Sequence, residues 1–500
     1  MATAAGVTRT FLGPLERSVS VAAGRTAVAC GEVRLTYAEL DERVRRLIGA
    51  LRAMGLSRGD RVGVIGRNCH RYLELYLAVP AGGFVLVPLN ARHAEPELRY
   101  ALADSGTRVL FGDPEHAALA ACVERFVALG AESDALLADA APEPWHPAAE
   151  DDLAGLFYTG GTTGAAKGVM LTHGNLVANA LAFMTCWPFT PATRWLVVAP
   201  MFHAGGTIGV LAIVWAGGQH VILPGFDASA ALDAVAREAV TTIFAVPTML
   251  DALVAEQLRR PRDISSVTHL SHGASPIADE VLHRTRKAFP GVSMLHIYGT
   301  TETSPIITLL PEEQELLETP RARSCGQPAI GVQLQVVDLA RRPLVAGEVG
   351  EVRVRGANVT GGYWRKPEQT REALSDGWYL TGDLGYLDEA GHLFLVDRAK
   401  DMIITGGENV YSTEVEDALH RHPAVGEAAV FGLPDVRWGE AVHAVVVPAL
   451  EVGEDELIAH CRTLVAGYKV PKAIHLRAEP LPKSAAGKVL KRELRETYAG

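Results

Sequence analysis

The segment Tyr158-Thr-Gly-Gly-Thr-Thr-Gly-Ala-Ala-Lys-Gly168 lies between an apolar run, Leu153 to Phe157, and an amphipathic one that begins at Val169. Three glycines within five residues free successive backbone N–H groups to point into one concavity, and four hydroxyls and Lys167 surround it. After a predicted strand, that combination suits a triphosphate. A surface turn of glycine and threonine is the ordinary alternative. The lysine, the density of hydroxyls and the apolar strand before them favour a nucleotide phosphate loop. It is not a Walker A loop, which places Ser or Thr directly after its lysine, whereas Lys167 is followed by Gly168. A different nucleotide chemistry is implied.

Working outward, 500 residues exceed what one compact core normally holds, so two or more domains are expected. A composition 48% hydrophobic and 21% charged is that of a globular enzyme rather than a disordered chain. The formal charge of -11 argues against non-specific nucleic-acid binding and leaves an anionic ligand to local cations and backbone N–H groups. Cys30, Cys69, Cys122, Cys186, Cys325 and Cys461 are scattered without a C-x-x-C pair, which suggests neither zinc nor disulfides and fits the cytosol. The N-terminal Met-Ala-Thr-Ala-Ala-Gly carries no secretory signal. The apolar run from Trp195 to Leu223 contains Pro200, His203 and two Gly-Gly pairs, and reads as strand, turn, buried helix and strand rather than as a membrane span.

Along the chain, Thr36-Tyr-Ala-Glu39 opens a capped helix with apolar positions at Leu40, Val44, Leu47 and Leu51, preceded by a strand. Arg61 to Gly66 and Phe84 to Pro88 are short apolar runs separated by a helical pattern, the alternation of a parallel α/β sheet, and Val109-Leu-Phe111 continues it. Residues 131 to 150 read as a solvated connection. Trp195 to His203 reads as a buried strand ending on a histidine, and the small residues after it leave space. Thr242 to Thr248 reads as another buried strand. His296-Ile-Tyr-Gly-Thr-Thr-Glu302 offers an aromatic ring, two hydroxyls and a carboxylate that can stack on a base, reach phosphate oxygens and hold Mg²⁺; a strand end with a cap at Thr300 or Thr301 is the plainer reading. Residues 349 to 396 are strand-rich, and Trp378-Tyr-Leu-Thr-Gly-Asp383 ends on a carboxylate that could accept a cis diol, although an aspartate after glycine is ordinarily a turn residue.

These segments resemble, in order from about residue 30 to the end, the motifs of the acyl-adenylate-forming enzymes. The first loop differs from their usual form at Gly160, commonly Ser, and at Ala166, commonly Pro. Leu171-Thr-His-Gly-Asn175 is similar to the family's continuation, and Pro200 to His203 to its Pro-x-x-His. Leu270-Ser-His-Gly-Ala-Ser-Pro276 resembles the adenine-side turn, Trp378 to Asp383 the ribose motif, and Asp397 to Asn409 the hinge. Leu481-Pro-Lys-Ser-Ala-Ala-Gly-Lys488 resembles the motif of the mobile catalytic lysine.

The resemblance implies an α/β protein: a large N-terminal domain (1–397) of α/β subdomains plus a β-rich subdomain, and a small mobile α/β C-terminal domain (398–500) with its hinge near Lys400. It implies that a carboxylate attacks the α-phosphorus of ATP with Mg²⁺, Lys167 and Lys488 offsetting repulsion, and that the thiol of coenzyme A then takes the acyl group. The implied catalytic residues are Lys488, Lys167, Glu302, which also holds the metal, and Thr159. ATP and AMP would meet Thr159, Gly160, Gly161, Thr162, Thr163, Gly164, Lys167, Gly273, Ala274, Ser275, Tyr298, Gly299, Thr300, Thr301, Asp383 and Arg398. The acyl pocket would be built from His203, Ala204, Gly205, Val246, Ile297, Gly299 and Ser304, and the coenzyme A path from Gly406, Gly407, Trp438, Tyr468 and Lys472. The neighbouring lysines Lys483 and Lys491 read as solvated.

An acyl-CoA synthetase is the first reading. A stand-alone enzyme loading a carrier protein, a luciferase-type oxygenase and a nucleotide-binding regulatory module stand behind it. Only 12 residues follow Lys488, so a fused carrier domain is not expected. The segment Val246-Pro-Thr-Met-Leu-Asp251 offers no cation and carries an acid, which disfavours malonate, and no acid between Phe202 and Thr207 meets an amino-acid ammonium. Ala245 to Leu253, with Ile297 to Glu302, resembles benzoate-type ligases. The expected acid is therefore uncharged in its tail: a medium or long fatty acid, or an aromatic one. No nucleic acid and no integral membrane segment are expected, the expected location is cytoplasmic, and a homodimer is compatible with the reading.

Overall fold

The computed structural model describes residues 10–159, 166–275, 277, 279–312, 316, 319–406, 408–483 and 489–499. The chain divides into two compact units, Met1–Leu334 with Val354–Tyr379, and Gln335–Arg353 with Leu380–Gly500. Among the described residues the strands form four sheets.

Two sheets of the first unit are the α/β sheets that the apolar runs imply. One runs in the order Arg125–Ala128, Thr107–Gly112, Arg61–Ile65, Val85–Pro88, Leu153–Thr159, Lys167–Thr172, parallel except for the last strand. Its middle strands Arg61–Ile65 and Val85–Pro88 are buried on both faces, as helices packed on a parallel sheet require. The second runs Gln327–Pro328, Thr308–Glu312, Ser293–Tyr298, His269–Gly273, Thr242–Ala245, Arg194–Val197, Gln219–Ile222, Thr26–Cys30, Val33–Thr36, parallel in its middle and antiparallel at both edges. The helix Tyr37–Ala53 starts where the sequence places it. Thr36 Oγ1 accepts from Glu39 N at 3.2 Å, and Glu39 Oε2 accepts from Thr36 N at 2.8 Å.

Three expectations are corrected. Residues 131–150 are not all solvated connection, because Ala131–Asp139 is a helix that buries Ser133 and Leu137. The strand expected from Trp195 to His203 stops at Val197. Beyond it the backbone is held by a side chain: Asn68 Nδ2 donates to Ala199 O at 2.9 Å and Met201 N donates to Asn68 Oδ1 at 2.8 Å. His203 therefore sits on a turn before the short 3₁₀ helix Ala204–Thr207. The strand expected over Thr242–Thr248 ends at Ala245, because Pro247 opens the helix Pro247–Arg259 in the first turn, where a missing N–H costs nothing.

The β-rich sheet runs Val332–Val337, Gly350–Gly356, Trp378–Leu387, Leu374–Ser375, with Leu393–Arg398 beside Trp378–Leu387. The second unit holds a small α/β layer, Glu408–Val410, Ile403–Thr405, Gly439–Pro448, Val425–Asp435, with Ala473–Leu476 parallel to Gly439–Pro448. The helices Ser412–His420 and Glu454–Leu464 contribute Val415, Leu419, Leu457 and Cys461 to its core. Among the described residues no helix is long and apolar enough to cross a membrane.

Candidate active site

In the first unit the strand Leu153–Thr159 delivers the chain to the loop and Lys167–Thr172 carries it back, with Thr159 opposite Lys167. Gly160, Gly161, Thr162, Thr163 and Gly164 lie outside the described residues. One of the four hydroxyls assigned to the loop is turned elsewhere, since Tyr158 Oη donates to Asp104 Oδ2 at 2.7 Å. The return strand runs into a helix whose start is again a reciprocal cap. Thr172 N donates to Asn175 Oδ1 at 2.9 Å, and Asn175 N donates to Thr172 Oγ1 at 3.1 Å.

Lys167 Nζ sits 4.8 Å from the centroid of the Tyr363 ring. The Tyr363 hydroxyl in turn donates to Glu302 Oε1 at 2.9 Å. Burial, and then the Glu302 charge, push the Tyr363 phenol well above its ordinary range, so it stays a donor at working pH. Tyr363 thus joins the expected loop lysine to the expected metal-holding carboxylate. The sequence reading missed it. Its only signal was an aromatic residue after the paired glycines Gly361 and Gly362.

Glu302 lies in the 3₁₀ turn Thr301–Thr303 just beyond the strand Ser293–Tyr298, and its carbonyl accepts from Thr360 N at 2.8 Å. The buried Thr300 Oγ1 has no hydrogen-bond partner among the described residues, a condition that a bound polar group would relieve. Close backbone approach is built in: a Cβ on Gly299 would stand 1.6 Å from Pro305 O, and one on Gly273 2.1 Å from Ile297 O. Ala274 takes the left-handed conformation, φ 72°, between Gly273 and Ser275. Asn358, also unforeseen, donates from Nδ2 to Thr303 O at 2.9 Å and Ile306 O at 2.6 Å, while its carbonyl accepts from Ser304 Oγ at 2.8 Å.

The donor set fits a magnesium nucleotide. Among the described residues no group of three or more acidic, histidine or cysteine side chains could hold a metal by itself. Mg²⁺ keeps most of its shell from water and phosphate oxygens and takes one or two carboxylates, which Glu302 can supply.

Of the expected acyl-pocket residues, Ala204 and Ser304 share a cavity with Tyr76, Phe157, Ile208 and Leu211. His203, Gly205, Val246, Ile297 and Gly299 are not among its lining residues. The His203 ring packs on Phe202 at 4.6 Å, and Val246 caps the helix that Pro247 opens. Gly205 has room, since a Cβ there would stand 3.9 Å from the Phe244 ring. The acid Asp251 is paired with Arg284 at 2.7 Å.

In the second unit Asp383 is buried and pairs with Arg398 Nε at 2.5 Å across adjacent strands, so the two residues expected on the nucleotide form one ion pair. Gly406 N donates to Trp438 O at 2.8 Å, and a Cβ on Gly406 would stand 3.1 Å from the indole. Lys472 and the unforeseen Arg437 flank that indole at 5.6 and 4.6 Å. Tyr468 is instead beside Lys469, which is paired with Glu414 at 2.7 Å. Gly407 and Lys488 lie outside the described residues. Partial desolvation, with Arg398 and Arg495 nearby, lowers the ammonium pKa of Lys400.

Of the two neighbouring lysines, Lys483 is exposed, as expected, whereas Lys491 is not solvated. Lys483 pairs with Glu427 at 2.9 Å. Lys491, largely buried, meets Glu416 Oε1 at 2.7 Å and donates to Ser412 Oγ at 2.5 Å. Ser412 Oγ donates to Asp397 Oδ2 at 2.8 Å, one residue before the strand end at Arg398.

The chain matches the model of the AMP-binding enzyme family over residues 15–364, and that of the AMP-binding enzyme C-terminal domain over 414–488. It is 42% identical over 477 residues to a feruloyl-CoA synthase of an Amycolatopsis species, covering 95% of this chain and 96% of that one. It is 36% identical over 488 residues to a fatty acid–[acyl-carrier-protein] ligase of Streptomyces coeruleorubidus, covering 95% and 93%. The o-succinylbenzoate coenzyme A synthetase of Bacillus subtilis, solved with ATP and magnesium ion, superposes with a TM-score of 0.88 at 31% identity, covering 96% of this chain and 99% of that one.

Proposed function

The chain belongs to the AMP-binding enzyme family, and we propose that it is an AMP-forming carboxylate–CoA ligase whose acid is uncharged in its tail, fatty or aromatic. The observation that carries this reading is the Lys167–Tyr363–Glu302 set beside the unpartnered Thr300 hydroxyl. It supplies a cation for phosphate, a carboxylate for a hard metal and a free hydroxyl within one unit. ATP, Mg²⁺ and coenzyme A are the co-substrates and cofactor.

A carboxylate oxygen of the acid attacks the α-phosphorus and pyrophosphate leaves with its bond electrons. Lys167 faces the phosphates as charge builds, and Tyr363 holds Glu302 in place by donating to Oε1, leaving Oε2 for a cation. Bound Mg²⁺ would neutralise phosphate charge at that carboxylate. The thiol of coenzyme A, losing its proton, then attacks the acyl carbonyl and AMP departs. We assign Asp383 to the ribose, Lys488 to the α-phosphate during adenylation, and the Gly406–Trp438–Lys472 group to the thiol substrate. We place the domain boundary at 397/398 and the hinge at Lys400. The free cysteines support a cytoplasmic location.

Among the described residues that line the cavity with Ala204, Ile208 and Leu211 none is charged, and this, together with the neutralisation of Asp251 by Arg284, supports an uncharged tail. Identity to a relative named for a carrier protein supports one alternative, in which the acyl group goes to a carrier thiol. Incubation of ATP and a panel of fatty and aromatic acids with coenzyme A, or with a carrier protein bearing its pantetheine arm, separates the two. AMP and acyl-CoA should form together. Acyl-AMP that accumulates with coenzyme A present and discharges only on the carrier overturns the ligase reading.

A further inference from the structure

Asp104 occupies the last turn of the helix Glu95–Ser105 with its side chain 10% exposed. A carboxylate there faces the negative end of the helix dipole, where a basic residue is favoured, and it is partly desolvated as well. Helix stability therefore does not account for it. Its partners come from two distant stretches. Oδ2 accepts from Tyr158 Oη at 2.7 Å, and Oδ1 lies 3.4 Å from Lys366 Nζ. Its carbonyl accepts from Trp364 Nε1 at 3.1 Å and Arg365 Nη1 at 3.2 Å.

Those stretches flank the nucleotide set. Tyr158 precedes Thr159 on the incoming strand, and its ring packs on Gly168, where a Cβ would stand 3.1 Å from Cζ. Residues 362–366 lie along the return strand: Met170 N donates to Gly362 O at 3.0 Å, Trp364 N donates to Gly168 O at 2.8 Å, and Val169 bridges Tyr363. Burial and the Asp104 charge raise the Tyr158 phenol pKa, so it remains a donor. Asp104 thus grips one strand next to Lys167 and the segment that carries Tyr363.

We propose that Asp104 is a positioning residue for the nucleotide: by fixing Tyr158 and Lys366 relative to one another, it sets where Tyr363 presents its ring to Lys167 and its hydroxyl to Glu302. This rests on the reading of that set as a nucleotide site. The test is calorimetric affinity for MgATP in the full chain, with KM for ATP in pyrophosphate release beside it. Asp104→Ala should weaken MgATP about tenfold, the scale of a charge-assisted hydrogen bond. Asp104→Asn, which keeps an acceptor for Tyr158 but not the charge for Lys366, should fall between. Thioester formation from synthetic acyl-AMP should stay within about twofold of wild type, and Asp104→Ala with Tyr363→Phe should be less than additive. Asp104→Asn with a lowered melting temperature and unchanged MgATP affinity overturns the proposal, as does strict additivity with Tyr363→Phe. The affinity measurement needs no turnover, so a failure of the ligase reading on the acid panel is distinct from a failure here.

Discussion

The phenol of Tyr363 and the carboxylate of Glu302, 61 residues apart in the chain, are joined by a 2.9 Å hydrogen bond. The same ring lies under Lys167. Of the described groups in the first unit expected to meet the phosphates, one cation and one carboxylate are therefore held by a single aromatic residue.

Tyr363→Phe keeps the ring beneath Lys167 and removes only the donor to Glu302. A hydrogen bond to a charged group contributes about 1.5–3 kcal/mol, so adenylation should slow by about 10- to 100-fold, read as pyrophosphate release. Thioester formation from synthetic acyl-AMP should be nearly unchanged. An equal fall in both half-reactions would show that Tyr363 maintains the fold rather than the nucleotide site.

Glu302→Gln retains an oxygen for the Tyr363 hydroxyl and loses the charge that a hard cation requires. Adenylation should drop on the order of 10²-fold or more, and the Mg²⁺ concentration for half-maximal rate should rise. Wild-type Mg²⁺ dependence in this variant would return Glu302 to the role of a turn residue.

The periodic and capped parts of the molecule were legible because their signals are local. Thr36 with Glu39 and the alternating apolar runs announce a helix and a parallel sheet within a few residues. The misread parts depend on partners remote in sequence. Nothing near Trp195 reveals that Asn68 will take over the backbone of residues 199–201, so the strand looked longer than it is. Lys491 looked solvated because Glu416 and Ser412, which bury it, lie more than seventy residues away. Tyr363 and Asn358 carry no motif of their own, and their importance arises only when the chain brings them to Glu302 and Thr303. Conversely, Asp383 and Arg398 were each recognised, but their mutual ion pair is a property of sheet register.

The adjacent glycines Gly205 and Gly206 should respond in opposite ways to one methyl group. At Gly206 a Cβ would stand 1.9 Å from Pro200 O, so Gly206→Ala should lower the melting temperature sharply or prevent folding. At Gly205 the nearest atoms are 3.9 Å away on Phe244, so Gly205→Ala should fold. In the wild type each buried methylene is worth about 0.8 kcal/mol, or about fourfold in kcat/KM, until the pocket ends. If Gly205 borders the acyl tail, Gly205→Ala should end that climb about one carbon sooner across a series from acetate to decanoate. An unchanged profile would remove Gly205 from the pocket, and a flat wild-type profile would refute the apolar tail itself.

Lys491→Met tests the buried pair in the second unit. Burial raises the Glu416 carboxyl above its ordinary range, with Lys491 acting against that shift. A carboxyl whose folded pKa is raised stabilises the fold while it is protonated, and that contribution is lost as pH rises through the folded value, unless a cation meets the new charge. Without Lys491 the charged form of Glu416 is left uncompensated, at a cost of about 2–3 kcal/mol given the pair's partial exposure. The difference in melting temperature between wild type and Lys491→Met should therefore be largest at the upper end of the pH range in which the protein stays folded and shrink as pH falls and Glu416 takes up its proton. Adding Glu416→Gln to Lys491→Met should recover much of the loss at the upper pH. A gap independent of pH, or no recovery in the double variant, would show that the lysine acts through Ser412 and Asp397 rather than by answering the Glu416 charge.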